Sequence, residues 1–187
     1  MSKNKFYLGG RTALVTGAAG LLGYSHCEAL LEMDARVVLT DINIDSLNKS
    51  YEQLLSIFKK ENILKLEMDI TNSNSIEKAV SNLAENNIFI DILINNASID
   101  PKVDSKKGLL NTSRLENFSL EEWNKQINVG LTGAFLCSKI IGQTMVNNKL
   151  KGVILNIASD LSIIAPDQRL YKVDDLDETQ QPVKPVT

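Results

Sequence analysis

The sequence has few of the residues that disulfide frameworks, metal sites and membrane spans require. Only two of its 187 residues are cysteines and one is a histidine. Cys27 and Cys137 each lie in a helix-like stretch, so we expect two reduced, buried thiols and no metal site. No apolar run approaches the roughly 18 residues of a membrane span. The first ten residues lack the apolar core of a secretory signal.

An excess of charge of one sign is also missing. Twenty Lys and Arg residues face 23 Asp and Glu residues, which gives a net charge of -3, and no basic stripe is present. This balance makes nucleic acid an improbable partner. With 43% hydrophobic and 23% charged residues, the chain has the composition of an ordinary globular domain. We therefore expect a cytoplasmic protein that binds a small molecule rather than a membrane.

Apolar runs alternate with amphipathic stretches over residues 1–165. Short, continuous Val/Ile/Leu runs are typical of parallel strands that are covered on both faces. The pattern predicts an α/β, Rossmann-like, doubly wound parallel sheet. We expect one domain over residues 1–187, with 166–187 as an exposed loop that leads to missing C-terminal strands. The predicted strands are 12–16, 35–41, 63–69, 88–94 and 152–157, and the predicted helices are 21–33, one ending near 60, 73–86 and 119–147.

A glycine-rich turn follows the first predicted strand. Gly17, Gly20 and Gly23 stand between that strand and a helix, where backbone N–H groups can approach a pyrophosphate without hindrance from a Cβ. Asp41 ends the second strand, about twenty residues further on. A carboxylate there accepts hydrogen bonds from the adenosine ribose and repels a 2′-phosphate. The combination predicts a dinucleotide site that prefers NAD to NADP. The alternative is a tight turn with Asp41 as a helix cap.

These residues, with four later motifs, resemble the short-chain dehydrogenase/reductase family over nearly the whole chain. The motifs are Met68-Asp-Ile-Thr71, Asn95-Asn-Ala-Ser98, Asn128-Val-Gly130 and Asn156-Ile-Ala-Ser159. The resemblance implies that Asn128 and Ser159 are catalytic. The implied cofactor-binding residues are Gly17, Gly20, Leu22, Gly23, Asp41, Ile42, Asp69, Ile70, Asn96 and Ala97.

The chain departs from the family pattern in three places. Its glycine spacing is similar to the branch that is rich in nucleotide-sugar epimerases and dehydratases. The stretch 99–118 is longer than the common form, and we expect it to shape a substrate pocket or a subunit contact. The family's Tyr-x-x-x-Lys is missing, because Asp175 follows Tyr171 where lysine is required. A carboxylate would raise the phenol pKa instead of lowering it, so we interpret Tyr171 as a loop aromatic.

Residues 158–187 resemble one sub-branch, the oxidoreductases of flagellin modification and bacterial surface-sugar synthesis. In that group the catalytic tyrosine directly follows Lys-Pro-Val-Thr, the residues at 184–187 here. The resemblance implies an NAD-dependent dehydrogenase or reductase that acts on a hydroxyl/carbonyl pair, plausibly of a sugar or sugar nucleotide. The complete protein would form a homo-oligomer, and the 187-residue chain would be inactive alone. A dehydratase or epimerase with retained NAD⁺, or a non-catalytic nucleotide-binding fragment, are the alternatives.

Overall fold

A computed structural model describes residues 5–99 and 114–184. Five parallel strands alternate with helices, and short 3-10 turns of three or four residues occur between elements and after the last strand. The strands are β1 (Thr12–Thr16), β2 (Arg36–Asp41), β3 (Ile63–Glu67), β4 (Ile92–Asn95) and β5 (Val153–Asn156). The helices are α1 (Leu21–Glu32), α2 (Ile44–Leu55), α3 (Ser73–Glu85), α4 (Leu120–Ile127) and α5 (Ala134–Asn147).

The strand order is β3-β2-β1-β4-β5, and all pairs are parallel. After β1, the chain adds β2 and β3 on one side of that strand. It then returns to the other side of β1 and adds β4 and β5. The reversal lies between β1 and β4, and doubly wound sheets bind ligands at the carboxyl ends of the strands at this point. The predicted Rossmann-like parallel sheet is confirmed.

Each central strand contributes to two hydrophobic cores, because successive side chains point to opposite faces of the sheet. Ala13 and Val15 pack in one core with residues of α1 and α2. Leu14 packs in the other core with residues of α3 and α5. This two-sided burial explains why β1 is apolar at consecutive positions. Burial also raises the pKa of the Cys27 and Cys137 thiols to about 12, so both stay protonated at neutral pH.

The fifth strand departs from this pattern. Within residues 5–99 and 114–184 it pairs with β4 alone, and all four of its residues are exposed. Val153 is 50% and Leu155 48% exposed. The apolar sequence of this strand had predicted that it would be covered on both faces. As an edge strand, β5 presents unpaired backbone groups along with this apolar surface.

The predicted helix 119–147 is interrupted. A π-helical turn, Asn128–Gly133, separates α4 from α5. Its two glycines, Gly130 and Gly133, are poor helix formers, and π turns inside helices are frequent at functional sites. The stretch Leu120–Asn147 is long and apolar enough, by length and composition only, to cross a membrane. Core helices of soluble proteins pass the same test, and α5 buries Cys137, Ile141 and Met145 against the sheet.

The chain divides into two compact units. The first comprises Met1–Ser98 and Val129–Ile157, and the second Ile99–Asn128 and Ala158–Thr187. The first contains the whole sheet with α1, α2, α3 and α5. The second contains α4 and the segment after β5. The prediction of one domain over residues 1–187 stays a prediction, and most of the expected pocket or contact stretch 99–118 lies outside the described residues.

Candidate functional site

The glycine loop is held to strand β2 on one side of β1. The Ala18 N–H donates to the carbonyl oxygen of Thr40 at 2.9 Å. The Ala19 N–H donates to Oδ2 of Asp41 at 3.1 Å. Because β1 and β2 are parallel neighbours, their carboxyl ends meet at one edge of the sheet. Asp41 therefore lies directly beside the loop, as its spacing from the glycines predicted.

The turn after β4 holds the loop from the other side of β1. Asn96 donates through Nδ2 to the carbonyl oxygens of Thr16 and Gly17, at 3.0 and 3.3 Å. The Thr16 hydroxyl oxygen accepts from the backbone N–H groups of Asn96 and Ala97, at 3.0 and 3.1 Å. The Asn96 amide thus positions the loop. Sequence reasoning missed Thr16, whose only indication was its place immediately before the first glycine.

The three glycines meet different surroundings. Gly17 has a φ of +64°, and an added Cβ would lie 2.8 Å from the Cα of Ala97. A Cβ on Gly23 would collide with the Gly17 backbone. A Cβ on Gly20 would meet only the Gly17 carbonyl oxygen, at 3.3 Å. Gly17 is therefore required by the turn and Gly23 by helix packing, whereas at Gly20 a Cβ would make one tight contact that a small shift can relieve.

The first turn of α1 can receive an anion. Side chains cap the N-termini of α2, α3 and α4, namely Asn43, Asn72 and Ser119. Helix α1 instead begins at Gly20 with no side-chain cap and no acidic residue in its first turn. Its N-terminal N–H groups and the positive end of its dipole are therefore available to a phosphate. Leu22, in the same turn, is 58% exposed.

The Asp41 carboxylate is fixed in place by two backbone N–H groups. Oδ2 accepts from Ala19, and Oδ1 accepts from Asn43 at 3.0 Å. Each carboxylate oxygen has a further lone pair, so both can still accept a ribose hydroxyl. Ile42, the next residue, is 64% exposed. A pyrophosphate at the start of α1 and a ribose at the end of β2 fit these residues.

The residues after β3 are largely engaged in local structure. The Asp69 carboxylate accepts from the Thr71 N–H at 2.8 Å and the Thr71 hydroxyl at 2.7 Å. The Ile70 side chain is only 8% exposed and packs in the core beside Ile76. Contact between Ile70 and an adenine would therefore use its backbone. The adenine role of both residues stays a prediction.

Both candidate catalytic residues belong to the second unit. Ser159 is exposed; its hydroxyl donates to Oδ1 of Asp160 at 3.2 Å and accepts from the Leu161 N–H at 3.2 Å. Asn128 is exposed and begins the π-helical turn. Neither side chain is buried in the core, so both are chemically accessible. Their catalytic roles stay predictions.

A polar cluster in the first unit joins the ends of β4 and β5 to α5. Asn95 donates through Nδ2 to Oδ1 of Asn156 at 2.8 Å and to the hydroxyl of Ser138 at 3.0 Å. Asn95 is 6% exposed, where a lost hydrogen bond costs more than at the surface. Sequence reasoning did not identify Ser138, because a single serine within a helix has no distinctive neighbours.

Tyr171 ends a short 3-10 turn, Gln168–Tyr171. Asp175, four residues later, adopts a left-handed φ of 66°, so no helical turn connects the two. Within the part of the chain that the structure describes, no group of three or more His, Cys, Asp or Glu side chains could hold a metal ion.

Comparison with known proteins identifies the family. The model of the short chain dehydrogenase family matches residues 11–169. The chain belongs to the short chain dehydrogenase family. It is 33% identical over 165 residues to an NAD-dependent glycerol dehydrogenase of Listeria innocua, covering 88% of this chain and 59% of that protein. A D-threitol dehydrogenase of Mycolicibacterium smegmatis is 28% identical over 165 residues, covering 88% and 58% of the two chains.

Solved structures agree with the fold. The crystal structure of gox2181 matches with a TM-score of 0.74 and 29% identity, covering 86% of this chain and 58% of that one. A short chain dehydrogenase from Bacillus anthracis matches with a TM-score of 0.71 and 29% identity, covering 83% and 60%. The chain thus spans about three fifths of the length of these relatives.

Proposed function

We propose that this chain is the nucleotide-binding part of an NAD(H)-dependent oxidoreductase that interconverts a hydroxyl and a carbonyl group. The observation behind the proposal is the arrangement of the glycine loop, the uncapped start of α1 and the Asp41 carboxylate. Bound NAD⁺ would supply the hydride acceptor for oxidation of a carbinol carbon, and a base would accept the hydroxyl proton. The products are a carbonyl compound and NADH.

The residues of this chain have three tasks in that reaction. The loop and the start of α1 bind the pyrophosphate, and Asp41 accepts from the adenosine ribose. Ser159 donates its hydroxyl hydrogen to the substrate oxygen after releasing Asp160. Asn128 holds a water that connects the proton path to solvent.

A neutral polyol or sugar is the proposed substrate. Two relatives are named for glycerol and threitol, which are uncharged polyols. The segment from Asp160 to Lys184 contains six carboxylates and three basic side chains. Arg169 and Lys172 are paired with Asp167 and Glu178. This excess of negative charge opposes a phosphorylated substrate. The resemblance of residues 158–187 narrows the proposal to a sugar of a surface glycan or of modified flagellin.

A second candidate is a sugar-nucleotide dehydratase or epimerase, which the glycine spacing favours. Such an enzyme would retain NAD(H) through turnover. The release of NADH during turnover distinguishes the two candidates.

We further propose that the active protein is longer than this chain, cytoplasmic and a homo-oligomer. Further residues would supply the Tyr-x-x-x-Lys pair and cover the edge of β5, whose apolar side chains are exposed. The chain's coverage of about three fifths of its relatives supports this proposal.

The choice of cofactor is tested at Asp41. We expect the wild-type chain to bind NADH more tightly than NADPH, because the carboxylate opposes a 2′-phosphate. Asp41→Asn keeps the shape but removes the charge, so NADPH affinity should rise about tenfold while NADH affinity falls. Fluorescence titration measures both, with Glu52→Gln on the exposed side of α2 as the matched control. Equal wild-type affinities for NADH and NADPH would contradict the proposal.

A further inference from the structure

The segment from Asp167 to Lys184 in the second unit has little regular structure. Two short 3-10 turns, Gln168–Tyr171 and Glu178–Gln180, are its only regular elements among the described residues. Pro182 lacks a backbone N–H and so cannot donate a hydrogen bond to a helix or a strand ladder. The backbone groups of such a segment need other partners wherever they are shielded from water.

The side chain of Gln168 provides such a partner at the end of the segment. Its Oε1 accepts from the Lys184 N–H at 2.9 Å, and its Nε2 donates to the Lys184 carbonyl oxygen at 3.1 Å. The amide therefore bonds to both polar groups of one residue, as a neighbouring β-strand would. Two bonds in one planar group fix orientation as well as distance. They join positions sixteen residues apart.

Gln181 provides the same pairing in the middle of the segment. Its Oε1 accepts from the Val173 N–H at 2.9 Å, and its Nε2 donates to the Val173 carbonyl oxygen at 3.0 Å. Nε2 also donates to the carbonyl oxygen of Leu176 at 2.6 Å. One side chain therefore satisfies three backbone groups across the bend that contains Asp175, which has a left-handed φ of 66°.

Ion pairs add less to this arrangement. Lys172 pairs with Glu178 at 2.8 Å, and Arg114 donates to the Glu178 carbonyl oxygen at 3.2 Å. The Lys172 and Glu178 side chains are 54% and 82% exposed, and exposed pairs of this kind are worth little. The two glutamine amides are the side chains that bond to backbone groups eight and sixteen residues away within the segment; the Gln168 bonds are partly buried and the Gln181 bonds are exposed.

We propose that Gln168 and Gln181 are positioning residues whose amides hold the segment 167–184 in one preformed conformation. The segment would then keep the same conformation with and without a ligand, instead of closing over one as a lid does. The proposal concerns the conformation of this chain and does not depend on the reaction it catalyses.

Amide hydrogen exchange of the 187-residue chain tests the proposal residue by residue. Gln168→Met and Gln181→Met preserve side-chain length and volume but remove the hydrogen bonds. We expect Gln168→Met to accelerate exchange at the Lys184 N–H about tenfold or more, and Gln181→Met to do so at Val173. Each variant should leave the other amide protected. Gln53→Met, at an exposed position on α2, should change neither.

Three results would overturn the proposal. The Val173 and Lys184 N–H groups could exchange in wild type as fast as in an unstructured peptide. The Met variants could retain protection that Ala variants lose, which would show that packing rather than hydrogen bonding holds the segment. Either Met variant could also accelerate exchange throughout β1, which would show a global rather than a local effect.

Discussion

Single residues in the glycine loop have separable roles. Gly17 is required by its left-handed φ and by its contact with Ala97, and Gly23 by the contact of α1 with the loop. Replacing either one changes the fold as well as the site. Of the three loop glycines, Gly20 combines an ordinary backbone conformation with the mildest Cβ contact, 3.3 Å from the Gly17 carbonyl oxygen. It is therefore the position at which binding and folding can be tested separately.

We expect Gly20→Ala to weaken NADH binding about tenfold or more, because its methyl group stands where a phosphate approaches the helix N-terminus. Its free energy of unfolding should stay within about 1 kcal/mol of wild type. Gly23→Ala, the matched control, should lose about 1–3 kcal/mol, since α1 must shift away from the loop. Urea unfolding and NADH fluorescence measure the two effects. Unchanged NADH affinity in a folded Gly20→Ala chain would show that the loop is only a turn.

Thr16 has a structural role in the site, because its hydroxyl oxygen accepts hydrogen bonds from the turn after β4. We expect Thr16→Val, which is nearly isosteric, to cost about 2–3 kcal/mol of unfolding free energy, because the N–H groups of Asn96 and Ala97 lose their acceptor. Thr71→Val removes an exposed hydroxyl bond to Asp69 and should stay within about 0.5 kcal/mol. Chemical denaturation measures the unfolding free energy of each variant. Equal effects of the two substitutions would contradict the role given to Thr16.

If the segment 167–184 borders the substrate in the longer protein that we propose, its conformation has a consequence for substrate binding. A segment that two glutamine amides already hold in one conformation loses little conformational entropy when a ligand binds. Loss of one amide leaves the chemistry intact but makes the segment sample other conformations. The effect should therefore fall on substrate affinity.

In the longer protein that we propose, Gln181→Met should raise KM for a polyol about fivefold or more and change kcat by less than about twofold. The affinity for NADH should be unchanged, because the glycine loop and Asp41 belong to the other unit. Gln53→Met again serves as the control. A fall in kcat at constant KM would instead place Gln181 in the chemical step. Steady-state kinetics with glycerol and threitol provide the measurement.

At the largest scale, the sheet is covered unevenly: its central strands are buried on both faces and its β5 edge is exposed. The helices α1 and α2 cover one face and α3 and α5 the other, but β5 keeps apolar side chains exposed at the edge of the sheet. On α5, Phe135 is 61% and Val146 70% exposed. Apolar surface of this extent is typical of a contact with further protein. This is why we propose a longer, oligomeric enzyme.

The 187-residue chain should bind NADH but show no turnover with NAD⁺ and glycerol or threitol. Its only candidate base near the expected spacing, Tyr171, has no lysine beside it in the position that the family mechanism needs. Tyr171→Phe should accordingly change nothing. Absorbance at the NADH band follows the reaction. Turnover by this chain that disappears in Tyr171→Phe would make Tyr171 the base and overturn the proposal.

The local pattern of the sequence determined the elements and their type. Continuous apolar runs predicted the strands, and the glycine triplet with Asp41 predicted a loop that the structure places at the carboxyl ends of β1 and β2. These features depend on neighbours within a few residues, or on the alternation of strands and helices, and both are visible in one dimension. The long helix was predicted over nearly its full length, Leu120–Asn147. Its π turn was not, because Gly130 and Gly133 alone do not distinguish a π turn from a tolerated helical glycine.

Contacts between distant residues were decided only by the tertiary structure. The Thr16 hydroxyl meets Asn96 and Ala97 some eighty positions away, and Gln168 meets Lys184 across a segment without periodicity. Polar side chains of this kind look like ordinary surface residues in the sequence, because their partners are fixed by how the strands and turns assemble. The exposure of β5 has the same origin. Its apolar sequence predicts burial, but its position at the edge of the sheet determines what covers it.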